Sequence, residues 1–280
     1  MRLHAVTPGG ASLAYLDLPG PDLPGPDLPG PDQPGPGEQA TVFIAGLGSS
    51  SLVDFTPVAG HPAVAGRGRS LLVDLLGSGW SDHDDDFSHT IEDHAAAVGD
   101  LLDAVGLAGV RLVGHSLGGS VAIVLAHERP DLVVDLVVAE PNLDPGVGTL
   151  SRLISAFTED DFAATGQARL VADLLQEAAD GDDNAAVFAR TLRRWSSRGL
   201  HRSAVSLLAE RRPTFREQLA ALPGTPTYLS GARTGEDLEP LRTAGCDVRV
   251  IPDAGHALMH DNLDGFVSAL GRRAPEPPAS

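Results

Sequence analysis

Short hydrophobic runs bounded by glycine, proline and acidic residues recur along the first half of the chain. The run at 41–45 has apolar residues at consecutive positions, which is typical of a strand buried on both faces. Apolar residues at helical spacing predict a helix over 91–105, capped by Thr90 and closed by Gly106. A second helical run lies at 121–126. The strands predicted in this half are 2–6, 11–18, 41–45, 71–73, 110–113 and 131–140.

The second half begins with a long stretch of helical spacing, from about residue 142 to residue 222, in which no strand is predicted. The strand pattern then resumes. The elements predicted after the stretch are strands at 225–231 and 247–251 and helices at 236–244 and 263–270. Strands that alternate with helices indicate a mostly parallel sheet with crossover helices. We therefore expect an α/β fold whose eight-stranded sheet is flanked by helices, with a helical cap inserted after the sixth strand.

The predicted boundaries describe one α/β domain with an insertion. The core occupies 1–141 and 223–272, the helical cap or lid occupies 142–222, and a flexible tail occupies 273–280. A five-residue repeat, Leu-Pro-Gly-Pro-Asp, interrupts the first part of the core at 18–37. A period of five excludes a collagen helix, which needs glycine at every third residue, so we expect an exposed loop without a catalytic role.

Charge and composition exclude several classes of function. The formal net charge of -18 argues against a nucleic-acid partner and against an anionic membrane surface. All 20 basic residues are arginine, which excludes Schiff-base chemistry and a phosphate-binding lysine. The single cysteine, Cys246, allows no internal disulfide. With no secretion signal and no apolar run of membrane length, we expect a cytoplasmic protein.

The segment around Ser116 carries the strongest chemical signal. An apolar strand runs into Gly114-His115-Ser116-Leu117-Gly118, and a helix follows directly. This is the Gly-x-Ser-x-Gly nucleophile elbow, in which a sharp turn lifts the serine oxygen clear of the backbone. Because the flanking positions have no room for a Cβ atom, the glycines have a steric reason. We predict that Ser116 is a nucleophile and that the Leu117 amide points at the group it attacks.

A glycine-rich loop, Gly46-Leu47-Gly48, follows the third predicted strand and allows two interpretations. A dinucleotide-binding turn also follows a strand with Gly-x-Gly, and Asp74 closes the next strand, where a ribose-binding acid would lie. The third glycine of that fingerprint is replaced by Ser51, however, and two strands precede it. The favoured interpretation is an oxyanion loop, in which the backbone amide of Leu47 faces Ser116.

Four motifs in this order resemble the α/β-hydrolase fold in its capped, esterase-like branch, and the likeness covers nearly the whole chain. They are Ala45-Gly46-Leu47-Gly48, Asp74-Leu75-Leu76-Gly77-Ser78-Gly79-Trp80-Ser81, Gly114-His115-Ser116-Leu117-Gly118-Gly119 and Ala254-Gly255-His256. The chain order of that family is nucleophile, acid, histidine. The resemblance implies that His256 is the base that takes the proton of Ser116 and returns it to the leaving group.

The acid of the triad is the point at which the sequence departs from the commoner pattern of this family. Most relatives carry an aspartate shortly after the seventh strand, and the matching position here is Thr234. Glu140 ends the sixth strand, an alternative acid position in some members of the fold, and is our first candidate. Asp237 is the alternative acid, although an acidic residue at a helix start has an ordinary role there.

Other polar residues have simpler expected roles. His115 is expected to pack under the lid. His256 and His260 are four residues apart, but no glutamate is spaced to complete a metal site with them. Residues 190–216 hold eight arginines and one acid, Glu210, which favours a solvated surface over a pocket for an acidic substrate.

The sequence thus predicts a serine hydrolase that cleaves a small to medium carboxylic ester, lactone or thioester through an acyl-enzyme on Ser116. Its partners would be the ester-like small molecule and water, with no metal and no organic cofactor, and with no nucleic acid or membrane. Two alternatives are a non-catalytic or ligand-sensing protein of the same fold and a nucleotide-binding oxidoreductase. A serine at the elbow argues against haloalkane dehalogenase and epoxide hydrolase chemistry, because those relatives carry aspartate there.

Overall fold

The computed structural model describes residues 1–20 and 39–271, and within these ranges the eight strands form a single sheet. Its spatial order is β1-β2-β4-β3-β5-β6-β7-β8. β1 and β2 pair antiparallel at one edge, and the other strands run parallel. The strands are β1 Arg2–Ala5, β2 Ser12–Leu18, β3 Thr41–Ile44, β4 Ser70–Val73, β5 Val110–His115, β6 Val133–Ala139, β7 Thr227–Gly231 and β8 Asp247–Ile251. The predicted fold class, a mostly parallel eight-stranded sheet flanked by helices, is confirmed.

Helices cover both faces of the sheet and fill the stretch between β6 and β7. The helices of the core are α1 Ser51–Asp54, α2 Thr56–Gly60, α3 Pro62–Ala65, α4 Ile91–Ala104, α5 Leu117–Glu128, α12 Glu239–Thr243, α13 Leu258–Asp261 and α14 Leu263–Gly271. Those between β6 and β7 are α6 Thr149–Ser155, α7 Glu159–Asp161, α8 Gln167–Ala179, α9 Asp183–Leu192, α10 Ser197–Leu208 and α11 Phe215–Ala220. A π-helical turn, Phe162–Gly166, joins α7 to α8. We call residues 142–222 the helical insertion.

Three short helices, α1 to α3, lie between β3 and β4, where the sequence predicted only a loop. Each has four or five residues, which is little more than one turn. A single turn cannot display an apolar stripe of period 3.6, so pattern analysis has nothing to detect. The helix predicted at 236–244 is shorter in the structure, because α12 begins only at Glu239. Pro240 is then in the first turn of the helix, where a proline is well accommodated.

Alternating side chains of β3 pack into two separate hydrophobic clusters. Val42 and Ile44 belong to the cluster on the face covered by α4 and α5. Phe43 points to the opposite face, where its ring lies 5.1 Å from Phe55 and where Phe55 in turn packs 6.3 Å from Phe266. Because successive strand residues face opposite sides, a strand with helices on both faces needs apolar residues at every position. This explains the continuous apolar run at 41–45.

Two parts of the sequence-based prediction fall largely outside the described residues. Apart from its first residues, the repeat at 18–37 lies in the undescribed range 21–38, and the tail at 273–280 lies beyond residue 271. In the part of the chain that the structure describes, no helix has the length and apolar character needed to cross a membrane.

Candidate active site

Ser116 lies in a tight turn between β5 and α5. Its φ of 51° and ψ of -121° place a non-glycine residue in a disfavoured backbone region. The turn is held because the Ser116 amide donates to the Ala139 carbonyl at 2.9 Å and the Ser116 carbonyl accepts from Gly119 at 2.9 Å. The strained turn that the elbow pattern predicts is therefore present at this serine.

The glycines that flank Ser116 lie where a side chain would collide with backbone. A Cβ atom at Gly118 would come within 2.3 Å of the Ile44 carbonyl oxygen, and one at Gly114 within 2.4 Å of the Gly118 oxygen. Gly46 approaches from the neighbouring loop, and a Cβ there would lie 3.1 Å from the Ser116 Cβ. The glycine loop after β3 and the serine turn after β5 are thus in direct contact, as expected for adjacent parallel strands.

Glu140 and His256 meet at the same edge of the sheet. Nδ1 of His256 lies 2.8 Å from Oε2 of Glu140. The other carboxylate oxygen accepts from the Gly231 amide at 2.8 Å and from the Ser230 hydroxyl at 3.3 Å. Glu140 directly follows β6, and Gly231 is the last residue of the neighbouring strand β7. The carboxylate oxygen that does not contact His256 is therefore held by the end of β7.

The environment of Glu140 favours its charged form. Burial alone would raise the pKa of this carboxyl, but hydrogen bonds from His256 and Gly231 outweigh burial and hold the pKa below its ordinary value. The side chain of Glu140 is 8% exposed, whereas that of His256 is 57% exposed. A buried, ionised carboxylate thus holds one ring nitrogen of a histidine that faces the cavity.

The two backbone amides predicted to bind an oxyanion belong to segments that meet at Ser116, since Gly46 precedes Leu47 and packs against the serine. Leu47 is in the loop after β3, and Leu117 is the first residue of α5. Within residues 1–20 and 39–271, neither amide donates a hydrogen bond to another group of the chain. Because α5 begins at Leu117, its helix dipole adds positive potential at that amide.

The Asp74 carboxylate accepts hydrogen bonds from residues that directly follow the glycine loop, whereas the nucleotide-binding alternative required it to bind a ribose. Its carboxylate is 1% exposed and accepts from the Ser51 amide at 2.7 Å, the Ser50 hydroxyl at 2.9 Å and the Trp80 amide at 3.0 Å. Burial nevertheless raises its pKa to about 6. Since the chain's own donors occupy this carboxylate, it is not available to a ribose.

A cavity of about 780 Å³ opens over these groups and is lined by Ser116, His256 and Leu47. Such a volume is typical of sites for small molecules. Much of its wall is apolar and comes from both the core and the helical insertion. The large apolar side chains in this wall are Leu47, Val147, Leu150, Leu174, Val187, Phe188, Leu207 and Met259.

The other candidate residues make no described hydrogen bond with the His256 ring. Asp237 is exposed and accepts from the Glu239 amide at 3.2 Å, and it does not line the cavity. Thr234, at the position where the commoner pattern has an aspartate, donates to the Gly231 carbonyl at 2.9 Å. The arrangement of hydrogen bonds therefore favours Glu140 over Asp237 as the partner of His256.

A second histidine–carboxylate pair in the cavity wall was not predicted from the sequence. Nε2 of His260 lies 3.1 Å from Oδ1 of Asp54, and both residues line the cavity. The hydrogen bond with Asp54 raises the pKa of His260. Asp54 belongs to one of the short helices that the pattern missed. Among the described residues, no group of three or more potential metal ligands lies together.

His115 packs beneath His256. Its Nε2 lies 2.7 Å from the His256 carbonyl oxygen, and the two rings are 4.8 Å apart. Burial lowers the pKa of His115 to about 4, so the ring is neutral at physiological pH. As the sequence suggested, His115 is a packing residue rather than an exposed base.

Asp261 ties the His256 loop to the helical insertion, another contact that the sequence did not reveal. One carboxylate oxygen accepts from the Gly255 amide at 2.7 Å and contacts Arg233 at 2.8 Å. The other accepts from the side-chain amide of Asn184, in α9, at 2.7 Å. The residue before His256 is therefore anchored to the wall of the cavity.

Comparison with known proteins identifies the family. The profile of the Alpha/beta hydrolase family matches residues 41–269, and the chain belongs to that family. The chain is 29% identical over 248 residues to the sn-1-specific diacylglycerol lipase ABHD11 of Mus musculus, a match that covers 82% of this chain and 79% of the lipase.

Solved structures agree on the fold. A thermophilic esterase from Thermogutta terrifontis, solved with malate bound, superimposes with a TM-score of 0.77 at 18% identity, over 96% of this chain and 97% of the esterase. The enol-lactonase from Burkholderia xenovorans LB400 superimposes with a TM-score of 0.73 at 20% identity, over 96% of this chain and 98% of the lactonase. These relatives are hydrolases.

Proposed function

We propose that the protein is a serine hydrolase that cleaves a small to medium carboxylic ester, lactone or thioester through an acyl-enzyme on Ser116. The hydrogen bond between His256 Nδ1 and Glu140 Oε2, beside the cavity that Ser116 lines, is the observation that carries this proposal. A histidine with one nitrogen held by a carboxylate has its other nitrogen available as a general base. The similarity to a lipase and an esterase supports an ester bond as the target.

The reaction would proceed in two halves. In the first, His256 takes the proton of Ser116 as the serine oxygen bonds to the acyl carbon, and the same proton passes to the leaving oxygen as its bond to the acyl carbon breaks. In the second, His256 takes a proton from water as the water oxygen bonds to the acyl carbon, and it gives that proton to the Ser116 oxygen as the bond between Ser116 and the acyl carbon breaks, which releases the acid. Glu140 would hold the ring of His256 and stabilise the imidazolium, and the amides of Leu47 and Leu117 would stabilise the negative oxygen of each tetrahedral intermediate.

The size of the cavity sets an expectation for the substrate. A volume of about 780 Å³ with a largely apolar wall suits an acyl chain of medium length better than acetate or a long-chain fatty acid. Hydrolysis of p-nitrophenyl esters of increasing chain length would therefore show an optimum at intermediate length. The Ser116→Ala variant should lose this activity at every chain length while keeping its melting temperature.

The same measurement separates the proposal from a ligand-sensing protein that retains the cavity without turnover. If the wild-type protein hydrolyses no ester of the series but binds one of them saturably, the ligand-sensing alternative is favoured. Equal residual activity in wild type and Ser116→Ala would place the reaction at another group.

A further inference from the structure

The wall of the cavity is strongly biased in charge. Five carboxylates line it, and among its described lining residues there is no arginine. The chain contains no lysine that could replace one. The lining carboxylates are Asp54, Glu140, Glu177, Asp182 and Glu236.

Two of these acids are matched by histidines, and three are not. Glu140 pairs with His256 and Asp54 pairs with His260. Glu177, Asp182 and Glu236 make no salt bridge within the described ranges. We call these three residues the unpaired acids.

The described hydrogen bonds of the unpaired acids come from neutral donors. Asp182 caps α9 by accepting from the Ala185 amide at 3.1 Å, and Glu236 accepts from the Tyr228 hydroxyl at 2.8 Å and 2.9 Å. All three acids are exposed to solvent, and Arg216 and His256 partly offset the charge of Glu236. A neutral donor lowers the energy of a carboxylate but does not cancel its field over the cavity.

Among the described lining residues of the cavity there is no arginine of the helical insertion, although Arg216 acts electrostatically on Glu236. Arg198 and Arg202 both bind Glu159, and Arg211 binds Glu92. The guanidinium of Arg194 stacks 4.3 Å from the ring centre of Trp80, and Arg216 binds Asp144. These contacts hold the insertion together and attach it to the core. The sequence favoured a solvated surface for this arginine-rich stretch, whereas these five side chains are engaged in ion pairs or a ring contact.

One aromatic ring in the same wall reinforces the charge bias. Phe188 lines the cavity and is half-buried, whereas Tyr228, which also lines it, is only 1% exposed and presents no open ring face. The face of an aromatic ring attracts a cation, most strongly where water is excluded, and quaternary ammonium groups are the ligands that profit most. The carboxylates and the Phe188 ring in one cavity thus favour the same sign of ligand charge.

We propose that the cavity favours esters that carry a positively charged group and disfavours esters that carry a carboxylate, with Glu177, Asp182 and Glu236 as the specificity-determining residues. The inference rests on the proposed ester hydrolysis for its kinetic readout.

Two pairs of matched substrates test the inference. Butyrylcholine and 3,3-dimethylbutyl butyrate have the same shape and differ by a nitrogen cation in place of a carbon. The p-nitrophenyl monoester of glutaric acid and its terminal carboxamide differ by a carboxylate. At low ionic strength we expect kcat/KM to favour the choline ester over its neutral analogue by roughly tenfold, since each carboxylate within about 8 Å contributes roughly two- to fourfold in a solvent-exposed cavity. The carboxylate ester should be disfavoured by a similar factor, and 0.5 M NaCl should weaken both preferences.

A charge-removal variant and a matched control assign the effect to the unpaired acids. Glu177→Gln/Asp182→Asn/Glu236→Gln removes three charges, and asparagine at 182 still caps α9. The control, Asp86→Asn/Asp173→Asn/Asp183→Asn, removes three charges at exposed positions that do not line the cavity. The first variant should bring both substrate ratios close to one, and the control should leave them as in wild type. The inference would be overturned if the kcat/KM values of charged and neutral substrates were equal in wild type. It would also be overturned if the charge-removal variant and the control lost the preference to the same extent.

A binding measurement keeps this inference separate from the proposed hydrolysis. Choline and 3,3-dimethylbutanol are isosteric and have no ester bond, so their affinities can be compared by calorimetry in the absence of turnover. Tighter binding of choline that disappears in the charge-removal variant supports the charge preference even if no ester is hydrolysed. Hydrolysis of the neutral ester with no preference for choline would contradict the charge preference and leave the proposed function standing.

Discussion

Nδ1 of His256 lies 2.8 Å from Oε2 of Glu140, although the two residues are 116 positions apart in the chain. The contact joins the end of β6 to the loop after β8, and the neighbouring Gly231 amide at the end of β7 fixes the carboxylate. Residues at the carboxyl ends of β6 and β7 and in the loop after β8 thus form one hydrogen-bonded group. The carboxyl ends of parallel strands meet at one edge of a sheet, which is the common location of active sites in α/β folds.

Glu140→Gln tests this contact directly. The carboxamide retains the size of the side chain but cannot stabilise an imidazolium, and it can hold the ring in the wrong tautomer. We expect kcat for a p-nitrophenyl ester to fall on the order of 10³- to 10⁴-fold with little change in melting temperature. Asp237→Asn, the matched control, should stay within about twofold of wild type. The reverse pattern would identify Asp237 as the acid.

Gly118→Ala tests the packing of the serine turn. A Cβ at this position would lie 2.3 Å and 2.4 Å from two carbonyl oxygens of the segment that ends β3, and backbone cannot yield as a flexible side chain does. We expect a loss of unfolding free energy of about 3 kcal/mol or more in urea titrations. Gly60→Ala is the control, since nothing lies within 4 Å of its Cβ position. Similar stability of the two variants would contradict the described contact.

Asp54→Asn tests the second histidine–carboxylate pair through its dependence on pH. The pKa of His260 is raised in the folded state, so the pair stabilises the fold fully below the unfolded histidine pKa of about 6.5. That stabilisation is lost as the pH rises through the higher folded pKa. Asparagine can still accept the hydrogen bond from neutral His260. The variant should therefore cost more stability at pH 6 than at pH 9.

Urea unfolding of wild type and Asp54→Asn at both pH values measures this difference, and other titrating groups contribute equally to the two proteins. An NMR titration of the His260 ring should show a lower pKa in the variant. A cost that is the same at pH 6 and pH 9, with an unchanged ring titration, would mean that Asp54 does not act on His260 as a charge.

The sequence predicted the sheet well because its strands are buried on both faces. Where short apolar runs alternate with amphipathic helices, a continuous apolar run such as 41–45 indicates a strand that is buried on both faces. The turn at Ser116 could also be recognised in the sequence. Close packing around this turn requires glycine at positions 114 and 118, and these two glycines form a short motif with the serine.

The remaining parts of the site depend on contacts between distant segments. Asp54, His260 and Asp261 acquire their partners only when the chain has folded, and no spacing rule connects Asp54 with a residue 206 positions away. The choice between Glu140 and Asp237 was open for the same reason. Both follow strands of the sheet, and only the folded structure gives the distance from His256.

The bias of the cavity toward negative charge was also invisible in the sequence. Within the helical insertion the arginines are concentrated at 190–216, and only that stretch has a basic composition. Its arginines bind acids outside the cavity, such as Glu159 and Glu92. The acids that line the cavity are spread over the core and the insertion, so net charge by segment does not describe the site.

Covalent labelling measures whether Ser116 is an activated nucleophile. Wild type and Ser116→Ala are treated with a fluorophosphonate, and the intact mass of each protein is measured. We expect one adduct per wild-type chain, located at Ser116 by peptide mapping, and none on Ser116→Ala. No adduct on folded wild type, or an equal adduct on Ser116→Ala, would mean that Ser116 is not an activated nucleophile.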